Sequence, residues 1–254
     1  MRTRDNTILI TGGGTGIGRG LAEAFQALGN RVIIAGRRSQ PLKETTTANP
    51  GMASYTVDLQ DPAATRAFAA QLGKDFPTLN VLVNNAGIMR AENLLGPPEG
   101  LEDMEAIVAT NLLGPLRLTA ALLPLLQSQP RSTIMNVSSG LAFVPLAQTP
   151  TYCATKAALH SYTQSLRYQL KGTTTEVLEL VPPYVATDLM NGASDPRAMP
   201  LTTFIAEVMH ILKTLPHATE ICVESVKRLR FAAQTGKDEE VFQGFNDAMA
   251  QQPH

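Results

Sequence analysis

Thr7-Ile8-Leu9-Ile10-Thr11-Gly12-Gly13-Gly14-Thr15-Gly16-Ile17-Gly18 decides the fold of this chain. Thr7 to Thr11 is a short apolar run stopped by glycine, the pattern of a buried strand. Arg19 to Leu28 follows with helical patterning, and Gly29-Asn30 reads as its C-terminal stop. Val32-Ile33-Ile34-Ala35 supplies a second strand. A glycine loop joining strand to helix inside a βαβ unit is the setting that a dinucleotide site requires. Its glycines let the backbone approach a pyrophosphate, and the helix start offers unpaired N–H groups.

Strands and helices keep alternating, which predicts an α/β chain with a doubly wound parallel sheet and helices on both faces. Asp61-Pro62 reads as a cap and first-turn proline opening a helix to about Phe76. Asn80 to Asn84 and Thr133 to Val137 are the fourth and fifth strands, and Glu176 to Val181 is the sixth. Gly100 to Leu126 reads as one long helix with Asn111, a poor helix former, in its middle. Thr151 to Leu170 is a further helix, and Asn191 to Arg197 is the most loop-like stretch, expected as a mobile connection beside the substrate.

That helix carries Tyr152-Cys153-Ala154-Thr155-Lys156, a phenol and an amine four residues apart and therefore on one face. An ordinary tyrosine titrates near ~10, and a neighbouring ammonium lowers that value. Such a tyrosine can take a proton from an alcohol or give one to a nascent alkoxide. The pair alone is weak evidence; its combination with the glycine loop is not.

The two motifs together resemble the short-chain dehydrogenase/reductase family, and the match runs through most of the chain. Thr11, Gly12, Gly16 and Gly18 match its glycine loop, with Thr15 and Ile17 between them, and Asn84-Asn85-Ala86-Gly87 matches the segment after its fourth strand. The resemblance implies a Rossmann-type fold, Asp58 with Leu59 at the adenine, and Asn85, Ala86 and Gly87 along the cofactor. It also implies a catalytic set of Asn111, Ser139, Tyr152 and Lys156. Ser139, rather than Ser138, stands thirteen residues before the tyrosine as the family requires. In these roles Tyr152 is the acid/base and Lys156 depresses its pKa and holds the nicotinamide ribose. Ser139 bonds the substrate oxygen, and Asn111 anchors a water relaying protons to Lys156. Pro182-Pro183 replaces the family's usual Pro-Gly, and the chain continues past a seventh strand at Glu220 to Val223. Both traits are similar to the DltE-like subgroup. Pro182, Val185 and Thr187 are expected along the nicotinamide.

The cofactor expected is NADP(H), with NAD(H) as the alternative. A site choosing NAD carries an acid at the end of the second strand, where this chain has Gly36 followed by Arg37 and Arg38. An arginine can clamp a 2′-phosphate through two hydrogen bonds. The partner expected is a small, fairly apolar carbonyl compound or alcohol. Its walls would come from Ile88, Met89, Leu141, Phe143, Leu146, Tyr184, Leu189 and Met190, with Arg90 the nearest cation for a carboxylate.

With 254 residues, one domain over 1–254 is the simplest reading, with a helical extension from about 224. The net charge of −1, from 21 basic and 22 acidic residues, argues against nucleic acid as a partner. No cysteine or histidine spacing suggests a metal, so none is expected. Cys153 and Cys222 read as free thiols in a reducing compartment, Cys153 as a small buried residue. Polar residues to Asn6 give no secretory signal, and no apolar run is read as approaching the ~20 residues of a membrane span. The expectation is a cytoplasmic protein with no membrane partner. Leu112, Leu113, Leu116, Leu118, Leu122 and Leu123 give the Asn111 helix surplus apolar surface, which with the resemblance predicts a homodimer or homotetramer. Val241, Phe245 and Met249, with Phe242, form an amphipathic face whose first reading is core packing; the sharper alternatives are a subunit contact or a lid. Rival readings of the whole are a non-catalytic dinucleotide sensor on the same fold and a nucleic-acid-binding protein. The intact Ser139, Tyr152, Lys156 set argues against the first, and charge balance against the second.

Overall fold

The computed structural model describes residues 1–96, 101–189, 192 and 195–250. Seven parallel strands form one sheet in the order β3-β2-β1-β4-β5-β6-β7. They are β1 Thr7–Thr11, β2 Arg31–Gly36, β3 Ala53–Thr56, β4 Val81–Asn84, β5 Ser132–Val137, β6 Thr175–Val181 and β7 Glu220–Cys222. Side chains alternate across each strand, and both faces are covered. Ile8, Ile10, Ile34 and Val83 point to the layer of α1 (Gly16–Ala27), α2 (Ser39–Ala48) and α7 (Leu201–Thr214), where Phe25 and Phe204 are fully buried. Leu9, Ile33, Leu82 and Ile134 point to the layer of α3 (Pro62–Asp75), α5 (Gly114–Gln127) and α6 (Pro150–Gln169). Each such buried aliphatic side chain contributes about 1.5–3 kcal/mol.

Local signals explain the boundaries. Asp61 caps α3 as expected, its Oδ1 accepting from the N–H groups of Ala63 and Ala64 at 2.7 and 3.2 Å. Gly29, at φ +86°, ends the turn after α1, and its N–H donates to the Gln26 carbonyl at 2.8 Å. The expected long helix is interrupted: α4 (Leu101–Val108) passes into a π-helical turn, Ala109–Leu113, before α5 begins. Its expected first residue, Gly100, lies outside the described residues.

The Leu101–Gln127 stretch also corrects the reading of apolar runs. It is 27 residues long, and an 18-residue window within it has a mean hydropathy of 1.5, long and apolar enough to cross a membrane. Its apolarity has an internal use, because Leu118, Leu122 and Leu126 are buried against α3 and the sheet. The leucine surface expected to exceed one sheet contact is therefore partly spent inside the protein. Beyond β7 the chain continues through a 3-10 turn (Glu224–Val226), α8 (Lys227–Arg230), a second 3-10 turn (Ala233–Thr235) and α9 (Asp238–Ala250).

Candidate active site

The strand order reverses between β1 and β4, and open α/β sheets bind ligands at such a point, off the carboxyl ends of the strands. A cleft of about 780 Å³ opens there. Every catalytic and cofactor-binding residue expected from the sequence lines it except Gly18 and Asn111, which lie behind the lining.

The glycine loop is built for close approach. Gly12 and Gly16 take positive φ of +66° and +52°, the left-handed region that other residues enter at a cost. A Cβ on Gly18 would run into the Gly12 carbonyl oxygen and the Asn85 amide, so only glycine lets α1 start this close to β1. Thr11 ties the loop to the next strand end: its hydroxyl accepts from the N–H groups of Asn85 and Ala86, both at 3.0 Å. The Asn85 amide returns a bond to the Thr11 carbonyl at 2.9 Å. Thr15 and Ile17 border the open side, and Thr187 closes over Gly16.

At the end of β2, Arg37 and Arg38 are exposed and make no hydrogen bond or ion pair among the described residues. Gly36 leaves open space beside them, where a Cβ would meet only Leu42 at 3.8 Å. Asp58 is exposed at the cleft wall and accepts from the Gln60 N–H at 3.0 Å, while Leu59 beside it is buried. Val185 is buried and pairs in a bridge with Met199, which holds its segment over the cleft. Pro182 accepts a hydrogen bond from the Gly140 N–H at 2.9 Å, fixing the end of β6 against the Ser139 turn. These open glycines, free guanidinium groups and a shaped floor fit a dinucleotide.

Ser139, Tyr152 and Lys156 meet at the floor, all buried. Ser139 leaves β5 as the cap of a 3-10 turn, its Oγ accepting from the Leu141 N–H at 3.1 Å. Lys156 donates from Nζ to the Val137 carbonyl at 2.7 Å and lies 5.6 Å from the centre of the Tyr152 ring. Burial lowers the Lys156 pKa to about 8, and the Glu179 carboxylate opposes that fall. The expected depression of Tyr152 is not what the protein alone displays. Burial pushes the phenol above its ordinary value, because desolvation outweighs the hydrogen bond from Ser139 that acts the other way. Asn111 is buried in the π turn, and its amide bonds both backbone groups of Ile88. Cys153 is buried as expected, its Sγ accepting from the Leu146 N–H at 3.3 Å.

The other half of the cleft is apolar. Ile88, Met89, Leu141, Leu146, Tyr184 and Leu189 line it as expected. Phe143 does not: it turns behind the site, edge-on to His160 with ring centres 4.7 Å apart. Met190 lies outside the described residues. Arg90 reaches the rim, with Nη1 donating to the Met89 carbonyl at 2.9 Å. The tail supplies a wall that sequence reasoning placed first in the core. Phe245 and Met249 of α9 face the cleft, while Val241 and Phe242 pack on Val144 and Ala232. Asn246 pins α9 to the loop after Ser139, accepting from the Ala147 N–H at 2.7 Å and donating to the Pro145 carbonyl at 3.1 Å.

Of the stretch expected beside the substrate, Asn191, Ala193 and Ser194 lie outside the described residues, while Asp195 and Arg197 reach the cleft edge. Sequence reasoning missed their ion pair, which holds the Asp195 carboxyl well below the usual range. It also missed Glu179 and His160 behind the floor. A charged residue inside the apolar run Val177-Leu178-Glu179-Leu180-Val181 was the available signal. Among the described residues, His160, Glu179 and Glu220 are one grouping with metal-ligand composition. Both carboxylates are already engaged, Glu179 by His160 and Glu220 by Arg230 at 2.6 and 2.9 Å.

A sheet of this order, a glycine loop at its reversal point and a buried serine, tyrosine and lysine at one floor describe a nicotinamide-dependent oxidoreductase. The chain belongs to the short-chain dehydrogenase/reductase family: residues 6–198 match the family described as short chain dehydrogenase. It is DltE-like, being 40% identical over 241 residues to the uncharacterized oxidoreductase DltE of Bacillus subtilis (strain 168), which covers 94% of this chain and 96% of that one. The fold is similar to a short chain dehydrogenase from Burkholderia cenocepacia J2315 in complex with NADP. That likeness has a TM-score of 0.81 at 23% identity and covers 100% of both chains. A short chain dehydrogenase/reductase from Burkholderia phymatum in complex with NAD matches with a TM-score of 0.79 at 19% identity, over 94% of this chain and 97% of that one.

Proposed function

We propose that this protein moves a hydride between NADP(H) and the carbonyl/alcohol carbon of a fairly apolar small molecule. The observation that carries this reading is the convergence of Ser139, Tyr152 and Lys156 between the glycine loop and the apolar half of one cleft. The nicotinamide, when bound, supplies or accepts the hydride. Tyr152 gives a proton from its phenol oxygen to the substrate oxygen during reduction and takes it back during oxidation. Ser139 orients that oxygen. Lys156, fixed by the Val137 carbonyl, favours the phenolate and is placed for the ribose. Asn111 holds the Ile88 backbone at the edge of the substrate half.

NADP(H) is favoured by Arg37 and Arg38, which stand free beside Gly36 where an NAD site would carry an acid. An apolar substrate is favoured by the walls from Ile88, Met89, Leu146, Phe245 and Met249, where burial contributes about 25 cal/mol per Å². The two unpaired thiols fit a reducing, cytoplasmic setting. The half-buried leucines Leu112, Leu113, Leu116 and Leu123 support association into a dimer or tetramer.

The deciding experiment measures kcat/KM with NADPH and with NADH over a panel of aryl ketones, medium-chain aldehydes, keto acids and sugars. NADPH with an aryl ketone or aldehyde should give the highest value. A preference for NADH, or for a keto acid or sugar, overturns that part of the reading, and cofactor binding without any turnover favours a sensor.

A further inference from the structure

Glu179 has no exposed side-chain surface. It stands in the middle of β6 between buried apolar neighbours. A carboxylate taken out of water costs several kcal/mol unless charge and hydrogen bonds compensate. His160 meets it with Nδ1 at 2.8 Å from Oε2 and 3.0 Å from Oε1. His160 follows Lys156 by one turn of α6, so both project from one face of that helix. Lys156 is the second buried ion of this layer. Its Nζ is held by the carbonyl of Val137, and Val137 pairs with Leu180, the residue after Glu179. An ammonium and a carboxylate thus share the buried layer between α6 and the β5–β6 pair, and the carboxylate acts on the ammonium.

We propose that Glu179 is the buried counter-charge of Lys156 and, through it, a positioning residue for proton transfer at Tyr152, with His160 holding the carboxylate in place. This rests on the reading of Tyr152 and Lys156 as a proton-transfer pair. The other charged and titratable groups around Glu179 do not replace it. Glu220 of β7 is in register with it but is bound by Arg230 of α8. Arg167 of α6 donates to the carbonyls of Val177 and Thr219, and burial pushes the Cys222 thiol up, keeping it neutral. Within α6 and β6 the counter-charge for Lys156 therefore falls to Glu179.

With the Glu179 charge removed, burial acts on Lys156 unopposed, and its proton leaves at lower pH. Reduction needs a proton on Tyr152 and a charge on Lys156, so the alkaline limb of kcat/KM reports the pair. Glu179→Gln keeps the shape and the His160 contact. It should move that limb down by about one pH unit, a roughly tenfold loss of kcat/KM well above the limb, with the cofactor Kd unchanged. Glu179→Asp restores the charge and should bring the limb back. A folded Glu179→Gln protein with the wild-type limb, or Glu179→Asp displaced as far as Glu179→Gln, overturns the proposal. Should Glu179→Gln not fold, His160→Gln is read instead: a lowered limb supports the assignment and an unmoved limb overturns it. Full turnover in Tyr152→Phe would instead overturn the proton-transfer pair itself. A dead Tyr152→Phe beside an unmoved Glu179→Gln limb removes only Glu179 from the mechanism.

Discussion

The side chain of Asn111 satisfies both backbone groups of Ile88: its Oδ1 accepts from the Ile88 N–H at 2.8 Å, and its Nδ2 donates to the Ile88 carbonyl at 2.8 Å. A third contact, from Nδ2 to the Thr155 hydroxyl at 3.3 Å, ties the same amide to the helix of Tyr152 and Lys156. Asn111 thus clamps the strand-end loop to α6.

Replacing Asn111 by alanine should strand the Ile88 groups. A buried polar group left unsatisfied costs about 1–3 kcal/mol, and each kcal/mol lowers Tm by about 2–4 °C in a chain of this size. Thermal unfolding of Asn111→Ala should therefore show a clear drop. A Tm within a degree or so of wild type would mean that the clamp carries no stability.

Tyr152→Phe keeps the ring in its buried place and removes only the phenol oxygen. Turnover should fall by roughly 100-fold or more, the usual loss with a general acid–base, while cofactor binding stays close to wild type. Retention of more than about a tenth of wild-type kcat removes Tyr152 from the acid/base role.

Gly18→Ala places a methyl against the Gly12 carbonyl oxygen and the Asn85 amide. Either α1 shifts away from the loop or the bonds between Asn85 and Thr11 are lost. The expected result is a cofactor Kd raised by an order of magnitude or more, with strain of about 1–3 kcal/mol in unfolding. Equilibrium titration with NADPH and with NADH checks it, and unchanged affinity for both would show that the loop does not need this contact.

Lys156 predicts a dependence of stability on pH. Its folded pKa is lowered from 10.5 to about 8. Between those values the unfolded chain holds a proton that the folded chain has released, so this group adds stability as pH rises. Below about 8 it opposes folding, because a charged ammonium is kept from water. Lys156→Met lacks this term. Comparing denaturant unfolding of the two proteins from pH 8 to 10, the difference should move steadily in favour of wild type. A flat or opposite trend contradicts the assignment.

Much of the glycine-loop half of the cleft was legible in the sequence because its geometry is local. Gly12, Gly16 and Gly18 sit at fixed offsets in a strand–loop–helix unit, and that spacing alone fixes where the backbone must turn. Tyr152 and Lys156 were legible for the same reason, being one helical turn apart. Asn111 was named, but the direction of its side chain was not, since that depends on the π turn at Ala109–Leu113. The role of Phe245 depends on a fold-back of the tail across about a hundred residues, sealed by Asn246 bonding to Pro145 and Ala147. Periodicity shows that α9 has an apolar face, not what that face covers. Phe143 was misplaced because its position after Ser139 suggested a wall, whereas the 3-10 turn Gly140–Ala142 rotates it toward His160.

Phe245→Ala should widen the apolar half of the cleft without touching the glycine-loop half. KM for a bulky apolar carbonyl should rise by roughly 5- to 150-fold, as expected for about 1–3 kcal/mol of lost contact, with the cofactor Kd unchanged. Equal KM values would return α9 to a packing role alone.

The π turn has a geometric consequence. An α-helix rotates by about 100° per residue, and a π turn absorbs one extra residue without breaking the rod. The helix before Ala109 and the helix after Leu113 are therefore read in different frames, so α4 packs on α6 while α5 packs on α3 and the sheet. Deleting one residue from Ala109–Leu113 would act as a frameshift in space. Every leucine of α5 would survive in the sequence, yet Leu118, Leu122 and Leu126 would swing off the sheet together, and a regular helix would be less compatible with this fold than the irregular one.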